Sequence, residues 1–486
     1  MKLRLLALAA MAVAGQAQAT QLTLAQINAA DVKVYISGSS ALNGVIAGQL
    51  QQNCDVAADM VTVKSKFGVG SFTGDFADGA SHSVFACKLN ASGGDFGATY
   101  ANQTVAIYKR DAGGSVYGVF PVAQKAANNN VNFLDLASTC AGSGIAYTCN
   151  FDTNPQLPSG GLSDEEPSLY TYAINQPTEF AGLKVADGDF FSKNVVLQQL
   201  FTVGVSNKLR NALQAEQGLA TGAYTTGTDA NGNITYPNMP SIPLAALTTI
   251  LQNNFDPSLG WTSILSTDAN KLSQVNICRR TTGSGTQAAI NLFALQNPTN
   301  KLAQDPWTAL DTDGAAIGTA VGGLYVRESL ESTDLRNCLA EADVGNAYAV
   351  GPLTVSSGTA GNGAAGSPGA GGSWSLVKID GLTPHRDYAK RGKFPFIVES
   401  TMQISKGATT AQKAFLTQFM SAIGKPSNMT SLSANAKTGV LALPTNTECA
   451  GGSWPSITGP GSTNPELFCS RLTRGGNSFV LPYFVR

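Results

Sequence analysis

Apolar and polar positions along this chain run in short blocks whose period switches repeatedly between two and about 3.6. Val32-Lys33-Val34-Tyr35-Ile36 alternates as a strand does. Ser37-Gly38-Ser39-Ser40 then turns it into Ala41 to Leu50, where Leu42, Val45, Ile46 and Leu50 take helical spacing. Thr104 to Lys109 predicts a further strand, closed by Asp111-Ala112-Gly113-Gly114-Ser115. Asn194 to Val205 predicts a long strand and Lys208 to Gln217 the helix after it. Leu244 to Leu251 reads as a helix that returns through Phe255, Leu259 and Trp261. Leu272 to Ile277 alternates as a strand and feeds a small-residue turn into the helix-like Ala288 to Phe293. Later strands are expected at Ala347 to Leu353, Trp374 to Ile379 and Phe394 to Ser405, with a helix over Thr410 to Ile423. Strands alternating with helices in this way predict an α/β fold with mainly parallel sheets.

Between these blocks lie stretches of another character. Residues 54–100 read as a loop-and-hairpin insertion, and the polar run from Asn128 to Gly161 as a loop stapled by two nearby cysteines. Residues 221–240 are rich in turn formers, and Ser356 to Ser373 is a low-complexity Gly/Ala/Ser segment. At the N-terminus, Lys2 and Arg4 precede an apolar core from Leu5 to Ala14 and an Ala17-Gln18-Ala19 cleavage pattern, which predicts a secretory signal over 1–19. The apolar run is too short for a membrane span, and no cysteine directly follows the cleavage point. The expected product is therefore soluble, exported to a periplasm or beyond it, and not lipid-anchored.

Export changes the reading of the eight cysteines. An even count with no C-x-x-C favours a disulfide framework over metal or redox chemistry. Their spacing predicts pairing in order: Cys54 with Cys87, Cys140 with Cys149, Cys278 with Cys338, and Cys449 with Cys469. Charge adds an exclusion. The 31 Lys and Arg balance 32 Asp and Glu, and only 13% of residues are charged. That leaves neither the basic stripe that nucleic acid requires nor a basic amphipathic helix for a membrane surface.

The candidate chemistry centres on Cys278-Arg279-Arg280-Thr281-Thr282-Gly283-Ser284-Gly285-Thr286-Gln287. A turn that opens a helix leaves backbone N–H groups facing outward and makes an anion site. Gly283 and Gly285 permit close approach, Ser284 and Thr286 add hydroxyls, and Arg280 brings a planar fork suited to an oxyanion. An ordinary capped turn with a surface arginine fits the same residues.

Other segments bear on the choice. Arg280-x-x-x-Ser284-Gly285-Thr286, Ser37-Gly38-Ser39-Ser40-Ala41, Gly113-Gly114-Ser115-Val116-Tyr117-Gly118-Val119 and Gly161-Leu162-Ser163-Asp164-Glu165-Glu166-Pro167 occur in the order of the anion loops of a known family. The chain resembles the phosphate-binding periplasmic receptors of ABC transporters, within the type 2 periplasmic-binding-protein superfamily. The resemblance covers nearly the whole chain after residue 19, with insertions near 54–100, 120–160, 221–240 and 356–373. It implies a two-lobed fold with a hinge of crossing strands: 20–195 for the first part of lobe 1, 196–380 for lobe 2, and 381–486 for the return to lobe 1. It also implies a monomer, without cofactor, that clamps phosphate or a related oxyanion for uptake alongside an ABC transporter membrane complex. Ser39, Ser40, Ser115 and Asp164 would come from one lobe, and Arg280, Ser284, Gly285 and Thr286 from the other.

Two departures bear on that assignment. Ala41-Leu42-Asn43 stands where phosphate receptors place a threonine and an aromatic, which leaves the contact open among Ser39, Ser40 and Asn43. Glu165 and Glu166 oppose a dianion unless they point away. An ionised Asp164 only accepts hydrogen bonds, so it would favour a protonated anion over sulfate. Ser39, Ser40, Ser115 and Asp164 each also suit a helix cap.

Other classes are weaker fits. An adhesive or structural protein could keep the fold without binding. A hydrolase lacks support, since there is no G-x-S-x-G or H-E-x-x-H. The two histidines, His82 in an insertion and His385 after Pro384, read as surface residues, and the four tryptophans as core or interface aromatics.

Overall fold

The computed structural model describes residues 21–65, 82–150, 153–229, 234–299, 303–308, 317–357, 373–432, 437–449 and 468–484. The expected signal at 1–19, most of the 356–373 segment and Trp454 lie outside the described residues.

In chain order the elements that position the site are β1 (Val32–Gly38), α1 (Asn43–Asn53), β2 (Val61–Ser65), β3 (His82–Lys88), β4 (Thr104–Arg110), β5 (Cys140–Ser143), β6 (Ala146–Cys149) and β7 (Gly160–Ser163). After them come β8 (Ser192–Ser206), α2 (Asn207–Glu216), α3 (Leu244–Leu251), β9 (Val275–Arg280), α4 (Gly285–Leu295), β10 (Leu324–Ser329), α5 (Ser332–Val344), β11 (Ala349–Thr354), β12 (Ile397–Ile404) and α6 (Thr410–Ala422). The fold is α/β, as the alternating blocks predict. The strand order is β10-β9-β11-β8-β12-β7-β1-β4-β3-β2-β6-β5. Parallel pairs form the centre of each half: β1 with β4 and β7, and β9 with β10 and β11. Such pairs need a crossover, and α1, α4 and α5 stand in the connections. Antiparallel pairs join the halves, and the far edge combines antiparallel pairs with the parallel pair of β2 and β6.

β8 is the joint between the halves. Its fifteen residues pair with β12 from Ser192 to Leu200 and with β11 from Phe201 to Val205. The apolar side chains divide slightly earlier, between Leu197 and Leu200. Val196 and Leu197 pack with Val34, Ile107, Leu162 and Phe415, whereas Leu200 and Phe201 pack with Leu209, Ile250, Ile277 and Phe396. Phe394, Phe396, Ile397 and Val398 belong to the second core, and Met402 and Ile404 to the first, so the chain crosses back within β12.

The helices differ in how much they bury: α4 is enclosed nearly all round, whereas α6 buries one stripe. α6 starts at Thr409, which forms a reciprocal capping box with Gln412, and buries Phe415, Leu416 and Phe419. The 54–100 insertion does not stand apart, because β3 pairs with both β2 and β4 and extends the main sheet. The expected strand over Trp374–Ile379 is broken into Trp374–Leu376 and Lys378–Ile379. Cysteines pair as 54–87, 140–149, 278–338 and 449–469, the order their spacing predicts. Cys278–Cys338 fastens β9 to α5 behind the candidate site. No helix among the described residues is long and apolar enough to cross a membrane.

Candidate functional site

Four loops follow the C-terminal ends of the parallel strands β1, β4, β7 and β9, where open α/β sheets place their ligands. Ser39 follows β1. Its backbone N–H donates to Leu162 O at 2.9 Å and its hydroxyl donates to Asp164 Oδ1. Ser115 follows β4. Its hydroxyl donates to Asp164 Oδ2 at 3.2 Å and accepts from the Asp164 N–H at 3.2 Å. Asp164 follows β7 and is 3% exposed.

The second half meets this group directly. Ser284 is the N-cap of α4, its hydroxyl accepting from the Gln287 N–H at 3.5 Å. The Val116 N–H donates to Gly283 O at 3.0 Å, which ties the loop after β4 to the loop before α4. Glycine is required on both sides of this contact. A Cβ on Gly114, whose φ is +76°, would stand 2.8 Å from Ser284 Cα. A Cβ on Gly285 would stand 2.3 Å from Asp164 Oδ2 and 2.5 Å from Ser115 Oγ. The Asp164 carboxylate thus packs against the first turn of α4, where the helix dipole favours negative charge.

Of the residues singled out from sequence, the structure brings Ser39, Ser115, Asp164, Ser284 and Gly285 together, with Thr286 buried in the same turn. None of Ser39, Ser40, Ser115 and Asp164 caps a helix: α1 has Leu42 as its N-cap, with no side-chain bond. Arg280 is buried at 2% exposure, and its fork is engaged at a neighbouring turn. Nε donates to Ser329 O at 3.2 Å, Nη2 to Leu330 O at 2.9 Å and Nη1 to Ser332 Oγ at 3.1 Å, so the guanidinium holds the β10–α5 turn. Ser40 is only half-buried and lines a cavity beside the junction.

Further residues complete the site. Gln199, on β8, donates to Asp164 Oδ1 at 2.9 Å and to Ser400 Oγ at 2.7 Å. Its sequence signal is the pair Gln198-Gln199 set between the apolar Val195-Val196-Leu197 and Leu200-Phe201, both glutamines being buried. Lys109 is fully buried. Its ammonium donates to Gly38 O at 2.9 Å and to Arg110 O at 3.0 Å, and it pairs with Asp111. Asp111 also accepts from Asn43 Nδ2.

Burial dominates the electrostatics. It raises the Asp164 pKa, opposed by the hydrogen bonds from Ser39 and Gln199 and by the Arg280 charge. Burial lowers the Arg280 pKa, with Glu331 and Asp164 acting against it. Glu165 does not crowd the site. Its Oε2 accepts from Ser478 Oγ at 2.6 Å, and burial pushes its pKa up to about 8, which leaves it largely neutral at pH 7.

The histidines correct the surface reading, since both are buried. His82 Nε2 lies 3.0 Å from Asn132 O, and His385 Nδ1 accepts from the Asp387 N–H at 3.2 Å. Burial lowers the His385 pKa to about 4. Each ring was drawn inward by fold contacts that its polar sequence neighbours conceal. Trp261 and Trp374 are core residues, in keeping with their expected role. No cluster of three or more His, Cys, Asp or Glu suited to a metal occurs among the described residues.

Neither a scan of protein-family models nor a search of curated proteins finds a match. Among solved structures the chain is similar to one described as a phosphate ABC transporter substrate-binding protein with bound phosphate from Clostridium perfringens, at 11% identity and a TM-score of 0.36, with 80% of this chain and 92% of that one covered. It is similar to an ABC-type phosphate transport receptor from Vibrio cholerae at 10% identity and a TM-score of 0.34, over 79% and 92% of the two chains. It is also similar to PstS from Borrelia burgdorferi at 10% identity and a TM-score of 0.31, over 81% and 95%. At these values the likeness is one of fold alone, and what those proteins bind is said of them alone.

Proposed function

We propose that the chain is an exported solute-binding protein, not an enzyme, that takes phosphate or a related oxyanion where its two halves meet and delivers it to a membrane transporter. One observation carries the reading: loops from both halves, each at the end of a parallel strand, converge on the buried Asp164 at the start of α4. Hydroxyl donors, a helix N-terminus and a buried carboxylate are the groups that hold a partly protonated oxyanion.

Binding then exchanges partners. The Ser39 and Ser115 hydroxyls, which donate to Asp164 without ligand, turn to the anion, and Asp164 accepts the anion's own proton. Each charge-assisted bond gained contributes roughly 1.5–3 kcal/mol, enough that a few of them outweigh the contacts released. Sulfate has no proton to offer and would leave acceptor facing acceptor.

The test is calorimetry of the purified chain against phosphate, arsenate and sulfate. Phosphate and arsenate are expected to bind with micromolar or tighter affinity, about −8 kcal/mol or better, and sulfate far more weakly. Absence of heat and of any thermal shift with all three would overturn the proposal and leave an exported protein that keeps a receptor fold without binding.

A further inference from the structure

A cavity of about 210 Å³ opens beside the four-loop junction, between Ser40 and Asn43 on one side and Glu331, Ser332, Thr333 and Arg336 on the other. That is more than ten times the ~10–15 Å³ a single water needs, and more room than a five-heavy-atom anion fills. The wall from the second half is the first turn of α5, a thirteen-residue helix, and Arg336 Nη2 donates to Thr333 Oγ1 at 2.8 Å within it.

Glu331 sets the cavity's character. It is 7% exposed and lines the cavity, yet no hydrogen bond or ion pair reaches its carboxyl among the described residues. Across the cavity stands Asn43, whose Nδ2 is bonded to Asp111 and whose Oδ1 is closed off from the open space. A free tetrahedral anion offers one or two protons at most and already needs them at Asp164. An unpartnered carboxyl facing a space larger than the anion calls for a ligand that extends beyond its phosphoryl group and carries hydroxyls there.

We infer that the solute is a phosphomonoester of a polyol, bound as the monoanion whose remaining phosphoryl proton goes to Asp164, with its phosphoryl group at the four-loop junction and its hydroxyls in the cavity against Glu331. This rests on the oxyanion reading above. Burial first, and the charges of Asp334 and Asp111 next, raise the Glu331 pKa to about 8. At neutral pH the carboxyl keeps its proton and both donates and accepts, as a hydroxyl does. Ser40, Ser332 and Thr333 add hydroxyls that match a polyol in the same way.

Calorimetry with four probes tests the inference: inorganic phosphate, methyl phosphate, glycerol 3-phosphate and phosphoethanolamine. Glycerol 3-phosphate is expected to bind at least about tenfold tighter than each of the others, a difference of about 1.4 kcal/mol. Glu331→Leu should remove that preference while leaving inorganic phosphate within about twofold, and Glu331→Gln, which also donates and accepts, should keep it. If Glu331→Leu does not fold, Thr333→Val on the same wall serves, with the same expected loss. Equal or tighter binding of inorganic or methyl phosphate overturns the inference and leaves the oxyanion reading standing. Phosphoethanolamine as the tightest ligand overturns the assignment to hydroxyls. Failure of all four probes overturns the oxyanion reading itself.

Discussion

Gly285→Ala tests the contact between the halves, because two effects of known sign compete at that position. Gly285 is the first residue of α4, and its backbone is not in the left-handed region. On backbone grounds alone alanine is therefore favoured, by roughly 0.4–1 kcal/mol through the unfolded chain. Against that, the added methyl would lie 2.3 Å from Asp164 Oδ2, 2.4 Å from Asp164 Cβ and 2.5 Å from Ser115 Oγ. Two of these atoms belong to Asp164, held by Ser39, Gln199 and Ser115, and the third is the Ser115 hydroxyl bonded to it, so none is the free end of a flexible chain. Overpacking of this kind costs about 1–3 kcal/mol, and separating the hydroxyls from Asp164 adds about 1 kcal/mol for each bond lost. The net expectation is a loss of about 2 kcal/mol, which lowers the thermal midpoint by about 2–4 °C in a chain of this size. Scanning fluorimetry beside Gly188→Ala, where an added methyl meets nothing within 4 Å, isolates the effect. A midpoint equal to or above that of the unaltered chain would show that the two loops do not touch, and the convergence on Asp164 would fall with it.

Asp164→Asn should narrow the preference for phosphate over sulfate by at least about tenfold, because the amide donates where the carboxylate accepts; calorimetry that finds sulfate still rejected contradicts the role. Lys109→Met leaves Asp111 buried without its cation and Gly38 O without its donor, a loss of about 3–5 kcal/mol visible as a lower urea midpoint. The pH dependence follows from Glu165 and Glu331, whose folded pKa values of about 8 stand above their ordinary 4.5. The folded chain holds protons that the unfolded chain has released, so the stability these groups give is complete below about pH 4.5 and lost as pH rises through 8. The thermal midpoint should fall between about pH 6 and 8.5, less steeply in Glu165→Gln, and a flat profile would refute the burial argument.

The fold was legible where local pattern and tertiary packing agree. β1, β4, β8 and α6 stand out because alternation or a capping box marks them and one face is plainly apolar. β10 and α5 do not stand out. Leu324–Ser329 carries Arg327 and Glu328 in succession, and the half-buried Glu328 lies 3.9 Å from Arg279 of the neighbouring strand. Missing that pair hides the cavity wall and the destination of the Arg280 fork, since the carbonyls it holds belong to the β10–α5 turn. The four Ser/Gly and Asp loops were visible one at a time. That three donors already engage Asp164 depends on strand order and on Gln199, which no spacing along the chain discloses.

The long strand β8 behaves as a torsion bar. Leu200 pairs with Ile397 of β12 and Phe201 with Thr354 of β11, so the change of partner strand falls across a single peptide unit, just beyond the point where the core changes. The chain crosses between the cores again within β12, so a rotation of one half against the other would twist both paired strands together. Gln199, the residue next to the pivot, is bonded to both Asp164 and Ser400. A shift of load on the Asp164 carboxylate therefore reaches the pivot through one side chain, and the angle between the halves and the state of the site turn on the same lever.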